Sequence, residues 1–378
     1  MNLLYCHCSL YNPGGMERVL LNKVKWLTEV GHRVTVVTTD QQGRPPFYEF
    51  PEGVELIDLG INYSLDNDKP LYRRIPSYLR KRRLHQSRLT DVLMRKRPDV
   101  TVSLYPSESS FIPDIKDGSK KVLELHFNRY FRLQYGRKGL TGLIDRWRSS
   151  RDERLARRFD RFIVLTEEDK EYWGNMPNIS VIGNAALPMP QKSDCTPRCV
   201  IAVGRLDFQK AFDRLIDAWE IVKKDKASDG WRLDIFGQGE WRDMLNDMIK
   251  KKGLSASAAV NAPTADIAAE YAASSILAMT SHYEGFPMVM VEAMSAGLPV
   301  VTFGYKCGPR DIVTPGTDGI IVPDGDTAAF ADALLKLMAD DSLRQRMGQA
   351  ATGVVDRYSE ARVMGQWMSL FETITRNE

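Results

Sequence analysis

The feature that most restricts this chain is an alternation: short apolar strands, each leading through a turn into a helix of 3.6-residue periodicity. Asn2 to His7 reads as a strand and is followed by the turn-rich Tyr11-Asn-Pro-Gly-Gly15. From Met16 the residues Met16, Val19, Leu20, Val24 and Leu27 keep helical spacing until Gly31, and Arg33 to Thr39 is a β-branched strand. Strand, loop, helix and strand form a βαβ unit, which implies a parallel sheet. The order recurs through Val54 to Leu59, a basic helix, Val100 to Leu104, Lys121 to Leu125, Arg161 to Leu165 and Ile179 to Ile182. A linker-like segment, Ala186 to Asp194, follows. The alternation then restarts with Cys199 to Val203, a helix over Phe212 to Lys223, and Trp231 to Phe236 closed by Gly237-Gln-Gly239. Ile276 to Thr280, the helix after it, and Pro299 to Phe303 make another βαβ unit, with helices over Thr327 to Met338 and from Ser342 to near Arg357. The expected fold is α/β: two doubly wound, Rossmann-like domains, 1–188 and 189–358, facing a central cleft where the carboxyl ends of both sheets meet.

Composition narrows the class. With 378 residues, 43% hydrophobic and 27% charged, the chain has the size and balance of two globular domains. No stretch reaches about 18 uncharged apolar residues, so no transmembrane helix is expected, and Met1 to Cys8 reads as a first strand, not a signal peptide. Five cysteines without a paired framework fit a reducing cytoplasm. Cys195-x3-Cys199 lacks a matching Cys/His pair, and no metal site is expected. Charge is unevenly spread: residues 1–190 hold 31 Lys and Arg against 23 Asp and Glu, whereas the remainder is acidic. The excess sits in Arg73, Arg74, Arg80 to Arg83, Arg88 and Arg95 to Arg97, and in a second stretch from Arg129 through Arg146, Arg148, Arg151, Arg154, Arg157, Arg158 and Arg161. Such stretches are either solvated helix faces or a surface drawn to anionic lipid headgroups or an acidic acceptor. Neither has the interleaved aromatics of a nucleic-acid motif, so no nucleic-acid partner is expected.

The chemistry gathers around Thr280-Ser-His-Tyr-Glu-Gly-Phe-Pro-Met-Val-Met-Val-Glu-Ala-Met-Ser-Ala-Gly297. Pro287 suits the first position of a helix and Gly297 its stop. Within that apolar helix stands Glu292, and just before it Glu284. A carboxylate in such surroundings must be hydrogen-bonded or neutralised, and two of them suggest a site for a polyhydroxylated ligand. Val203-Gly-Arg-Leu-Asp-Phe-Gln-Lys210 places Arg205 and Lys210 in a loop at a sheet's carboxyl end, where a planar fork and a point charge suit a diphosphate as well as they suit plain surface positions. Gly14-Gly15 suits a backbone that comes close to a ligand from the other domain as well as it suits an ordinary loop, and it is not the three-glycine dinucleotide fingerprint. His126 follows an apolar strand, again at a carboxyl end.

Together these residues resemble the pattern of glycosyltransferase family 4. Glu284-x7-Glu292 with Ala293-Met-Ser-Ala-Gly-Leu-Pro-Val-Val301 is similar to its signature, and Val203-Gly-Arg-Leu with Lys210 to its diphosphate loop. Pro13-Gly-Gly-Met-Glu-Arg18 is similar to its N-terminal glycine loop, Val164-Leu-Thr-Glu167 with Ile182-Gly-Asn184 to the end of its first domain, and Gly308-Pro-Arg-Asp-Ile-Val313 with Gly319 to Asp326 to the segment after the Glu motif. The resemblance implies the GT-B fold, with segment 359–378 returning to the first domain through Val363, Trp367, Leu370, Phe371 and Ile374. It implies retaining transfer of a hexosyl or N-acetylhexosaminyl unit from a nucleotide diphosphate sugar, first of all UDP-linked, without a bound metal or other cofactor. It assigns Arg205 and Lys210 to the diphosphate, Glu292 to the ribose hydroxyls, Glu284 to the neighbourhood of the donor sugar, and His126 to donor sugar and acceptor. Gly14, Gly15, Gly204, Gly285, Phe286, Pro287 and Met288 complete the implied donor-binding set. Two departures stand out: Lys210-Ala211 where the family has Lys-Gly, which puts the loop's backbone conformation in question, and Ile182-Gly183-Asn184 where it commonly has Ile-Pro-Asn.

In the mechanism so implied, the leaving phosphate oxygen takes the acceptor hydroxyl's proton on the same face of the sugar, consistent with the lack of a paired glycosidase-type acid and base. The acceptor is expected to be a saccharide or lipid-linked saccharide in cell-surface glycan synthesis, and the location cytoplasmic or peripheral on the inner membrane face. A sugar-nucleotide epimerase on the same fold and a non-catalytic membrane-binding module are the alternatives. A nicotinamide-dependent dehydrogenase is disfavoured by the missing fingerprint.

Overall fold

The computed structural model describes residues 1–104, 107–133 and 139–376. Residues 134–138, within the second basic stretch, and the last two residues of segment 359–378 lie outside the described residues. The first sheet comprises β1 (Asn2–His7), β2 (Arg33–Thr38), β3 (Glu55–Asp58), β4 (Val100–Ser103), β5 (Lys120–Glu124), β6 (Arg161–Val164) and β7 (Ile179–Val181). The second comprises β8 (Cys199–Val203), β9 (Arg232–Phe236), β10 (Ala258–Asn261), β11 (Ile276–Met279), β12 (Val300–Phe303) and β13 (Gly319–Val322). The spatial orders are β3-β2-β1-β4-β5-β6-β7 and β10-β9-β8-β11-β12-β13, and every pairing is parallel. Each order reverses direction beside the first strand of its half, between β1 and β4 and between β8 and β11. A crevice opens at such a switch point, at the carboxyl ends of the strands.

The inner strands are buried on both faces because crossover helices cover them, so they read as apolar, β-branched runs, whereas the edge strand β3 is largely exposed. The helix Gly15–Glu29 turns Val19, Leu20, Lys23, Val24 and Leu27 inward. Lysine is the exception on that apolar stripe, and its partner is described below. Helix starts are capped where the sequence supplies an oxygen: Thr166 accepts from the Asp169 N–H, Asp326 from that of Ala329 and Asp340 from that of Leu343.

The helix Glu360–Arg376 leaves the second sheet and packs on the first, burying Val363, Met364, Trp367, Phe371 and Ile374 against residues such as Leu3, Tyr5 and Leu20. Each such side chain contributes about 1.5–3 kcal/mol on leaving water, which fixes the return. The outgoing and returning chain segments touch where they cross: the Ala186 N–H donates to the Tyr358 carbonyl at 2.7 Å, and Ala186 pairs with Ser359 in a parallel bridge. Beside that crossing the Phe286 ring packs edge-on against Tyr358, and a Cβ on Gly183 would lie 3.1 Å from Phe286 and 3.2 Å from Tyr358. Gly183 therefore suits its place, since a side chain there would press on both rings.

Strands β10 and β13 and the short helix Ile267–Ala272 are elements that the sequence reading does not anticipate. Helix Met288–Ser295 also begins one residue later than expected. Pro287 stands before it with ψ 87°, outside the helical range, and caps it without a side-chain hydrogen bond.

Candidate active site between the two sheets

A cleft lies between Gly15, Arg18, Val19 and Asn22 of the first half, Ala185, Leu187 and Met189 of the connecting segment, and Met288, Val291 and Glu292 of the second half. Its floor is set by β11, whose carboxyl end releases the loop that carries Glu284 into helix Met288–Ser295. The connecting segment is tied beneath that helix: the Ser295 hydroxyl donates to the Leu187 carbonyl and accepts from the Met189 N–H.

Glu284 is buried and fully engaged. Its Oε1 accepts from Lys210 Nζ at 2.7 Å and from the Ser281 hydroxyl at 2.8 Å, and its Oε2 accepts from Gln209 Nε2 at 3.1 Å. Gln209 Oε1 in turn accepts from Arg205 Nη2 at 2.6 Å, and the guanidinium also lies 3.3 Å from Asp207. The two cations and this carboxylate thus form one connected network. Lys210 is largely enclosed, whereas the Arg205 side chain is 67% exposed.

The glycines have concrete reasons. A Cβ on Gly204 would fall 2.9 Å from Lys210 Cε, so its absence lets the lysine side chain pass. Gly237 supports the same loop from below, where a Cβ would meet the Gly204 carbonyl oxygen at 1.9 Å. Ala211 adopts φ 50° and ψ 48°, the left-handed turn glycine would take, so the Lys210-Ala211 departure leaves that turn in place. The Thr280 hydroxyl donates to the Ala211 carbonyl at 3.0 Å and pins the turn.

Glu292 faces the cleft from the helix, with Arg18 Nη1 of the first half 3.8 Å away. Burial holds its carboxyl above the ordinary range, against the pull of Arg18 and Lys210. Met288 lines the same cleft, and Pro287 is held by Gly308, where a Cβ would meet Pro287 Cδ at 2.4 Å. Gly285 meets the other half: a Cβ there would lie 2.1 Å from the His126 carbonyl oxygen. Asn128 adds Nδ2 hydrogen bonds to the carbonyls of Glu284 at 2.9 Å and Lys306 at 3.3 Å. His126 donates Nε2 toward Glu124 Oε1 at 3.0 Å.

Gly14 and Gly15 open the helix on the opposite wall. A Cβ on Gly14 would strike the Glu17 carboxylate, whereas one on Gly15 would meet nothing within 4 Å. Protein packing therefore does not require glycine at Gly15. The structure brings these predicted residues together with one exception: the Phe286 side chain turns away from the cleft onto Tyr358, because the apolar ring fills the crossing between the halves.

Four neighbours carried no predicted role. Gln209 and Ser281 stand beside predicted residues in the same loops, and Arg18 lies inside the glycine-loop match. Asn128 had no local signal, since its partner is 156 residues away.

Two parallel-sheet domains joined by a double crossing, with paired carboxylates and cations at the facing carboxyl ends, define a GT-B architecture. The profile described as "Glycosyltransferase Family 4" matches residues 13–186, and that described as "Glycosyl transferases group 1" matches residues 187–354. The chain belongs to glycosyltransferase family 4. It is 36% identical over 219 residues to the amylovoran biosynthesis glycosyltransferase AmsD of Erwinia amylovora, covering 55% of this chain and 61% of that one. It is 29% identical over 224 residues to a poly(ribitol-phosphate) alpha-N-acetylglucosaminyltransferase of Staphylococcus aureus, covering 58% of this chain and 45% of that one. The crystal structure of TarM superposes with a TM-score of 0.81 at 17% identity over 98% of both chains, a likeness of fold.

Proposed function

We propose that this protein is a retaining glycosyltransferase that moves a hexosyl or N-acetylhexosaminyl unit from a UDP-linked sugar to a saccharide or lipid-linked saccharide in polysaccharide synthesis. The observation that carries the reading is the Lys210–Glu284 pair, 2.7 Å apart, linked through Gln209 to Arg205, in the loop that leads into helix Met288–Ser295. The enclosed ammonium is neutralised by the carboxylate. An incoming diphosphate offers it a stronger partner and frees Glu284 to accept hydrogen bonds from sugar hydroxyls. The first N–H groups of helix Met288–Ser295 have no acceptor within the helix and add positive potential on the same side. Glu292, with its carboxyl raised by burial, suits a vicinal diol as donor-side ligand. Polymer synthesis is supported by the likeness to a glycosyltransferase of amylovoran biosynthesis and to a poly(ribitol-phosphate) alpha-N-acetylglucosaminyltransferase.

In this reading Arg205 and Lys210 stabilise the charge that builds on the departing diphosphate, without a resident metal. The diphosphate oxygen takes the acceptor proton on the face it leaves. Glu284 and Glu292 position the donor and neither acts as a base. Replacing Lys210 or Arg205 by Ala lowers turnover by about 10²-fold or more. Near-normal turnover in both variants overturns the assignment. A thermal-shift panel of nucleotide sugars identifies the donor, since a ligand at about 100 times its Kd stabilises by about 2.7 kcal/mol. A product formed from donor alone, with no acceptor, favours an epimerase instead.

The basic stretches support a further element of the proposal, an anionic membrane surface. In the helix Leu71–Lys96, Tyr72, Ile75 and Leu79 form an i, i+3, i+7 stripe, and in the helix Gly139–Ala156 stand Leu143, Ile144 and Trp147; all six are 48–71% exposed. Arg73, Arg80, Arg83, Arg146, Arg148 and Arg151 flank them without a carboxylate partner among the described residues. Arg129, Arg132, Arg157 and Arg158 by contrast are spent on Glu153, Asp152 and Asp114.

A further inference from the structure

We propose that Glu124 is a positioning residue of the transfer reaction, holding the His126 ring from behind so that Nδ1 is presented to the reacting sugars. This rests on reading His126 as a sugar contact. Glu124 ends β5 and is wholly buried. Its Oε1 is shared by His126 Nε2, at 3.0 Å, and by the ammonium of Lys23. The carboxylate accepts only, so Nε2 is the nitrogen that carries a proton toward it, and in the neutral ring Nδ1 is the acceptor. Nδ1 has no hydrogen-bond partner among the described residues, which leaves it available to accept from a hydroxyl.

Lys23 supplies the buried carboxylate with a counter-charge. The ammonium sits on the same oxygen that faces His126. Burial pushes the Glu124 carboxyl up, but Lys23 and His126 more than offset this and hold it at about 2, ionised throughout the working range. The lysine is itself placed by the returning helix, its Nζ lying 4.1 Å above the centre of the Trp367 ring. A lysine on the inward stripe of the first helix, costly as packing alone, thus has a reason connected to the cleft. Register agrees: Tyr5 pairs with Val102 and Val102 with Val122, so Tyr5, His7 and Glu124 share one sheet face beneath Lys23. The other titratable groups near His126 are His7, whose ring burial pushes down to about 4 and keeps neutral, and Glu17 on the first helix.

The test removes the buried pair as a unit, Lys23→Met with Glu124→Leu, so that no orphan charge remains inside. The expected result is a folded protein with unchanged donor KM and a kcat lowered by about 10- to 100-fold, the scale of a misplaced contact. His126→Ala shows a similar loss, and the triple variant is no worse than His126→Ala alone, since Glu124 acts through His126. Normal turnover in the double variant, or a loss that adds in full to that of His126→Ala, overturns the proposal while leaving His126 as a contact. Normal turnover in His126→Ala overturns the reading of His126 itself, and with it this role of Glu124.

Discussion

Ala211 holds φ 50° and ψ 48° at the start of helix Phe212–Val222, fully buried and with its carbonyl tied to Thr280. An L-residue in this region costs roughly 1–2 kcal/mol that glycine does not incur, partly offset by glycine's larger freedom when unfolded. Ala211→Gly is therefore expected to stabilise by roughly 0.5–1 kcal/mol, seen as a higher urea midpoint with an unchanged slope. A lower midpoint shows that the methyl group packs better than the turn is strained. Asp169 gives a second residue-scale expectation. Burial pushes its carboxyl up to about 7, against hydrogen bonds from the Arg129 N–H and Trp173 Nε1. A carboxyl whose folded pKa lies above its unfolded value binds more protons when folded, so its contribution is greatest at acid pH and is lost as pH rises from about 4 to about 7. Urea titrations across that window show the wild type losing stability relative to Asp169→Asn as pH rises. Parallel curves refute it.

At the scale of elements, the Glu284 loop and the His126–Asn128 segment meet backbone to backbone. A Cβ on Gly285 would press 2.1 Å from the His126 carbonyl, and neither main chain can yield without separating the halves or the network around Glu284. Gly285→Ala is expected to lower kcat/KM by about 10²-fold, the cost of roughly 1 Å of misplacement, with each sheet intact by circular dichroism. Activity near wild type means that the two loops do not need this approach. The same loops show what local sequence can reveal. The β-branched run Arg33–Thr38 and the Val-Ile-rich β8 are recognisable at sight, because strands buried on both faces need such residues. Ala258-Ala-Val-Asn261 carries little of that signal, and its pairing with β9 at the sheet edge comes from tertiary context. Likewise the spacing that places Lys210, Glu284 and Glu292 in one region is visible in the chain, whereas the service of Asn128 and Lys23 depends on partners 156 and 101 residues away. The Phe286 ring shows that a residue inside a motif can also serve packing, since it lies edge-on against Tyr358.

At the scale of the whole molecule, the parallel topology decides where the unpaired arginines lie. Helix Leu71–Lys96 starts after β3 and helix Gly139–Ala156 after β5, so both begin at the carboxyl edge of the first sheet, the edge that also bears Gly15 and His126. The six exposed apolar residues named above fall in the first halves of both helices and so toward that edge, whereas Leu84 and Met94 are exposed farther along the first helix. Helix Leu71–Lys96 is tied to the segment after β4, since Arg82 donates to the Ser110 hydroxyl, and Arg158, beyond the end of the second helix, reaches the Ser110 carbonyl and Asp114. Beside the apolar stripe, Lys69, Arg73, Ser77 and Arg80 line an open groove of about 430 Å³, a basic recess at the same edge. No helix among the described residues is long and apolar enough to cross a membrane, so any attachment through these elements is to the surface. If a bilayer holds the acceptor, this arrangement turns the acceptor side of the cleft toward it. Each arginine at an anionic surface contributes about 1 kcal/mol, so replacing Arg73, Arg80 and Arg83 by Ser is expected to weaken binding by roughly 100-fold. Co-sedimentation with phosphatidylglycerol-rich vesicles measures this, alongside neutral phosphatidylcholine vesicles. Binding is expected to vanish at about 1 M salt, where the screening length is about 3 Å, and the Trp147 fluorescence to shift to the blue on the anionic vesicles alone. Donor binding, monitored by thermal shift, stays unchanged in the triple variant, because none of the three arginines is at the cleft. Equal partition to neutral and anionic vesicles, or none at low salt, refutes the surface and leaves the arginines as solvated helix faces.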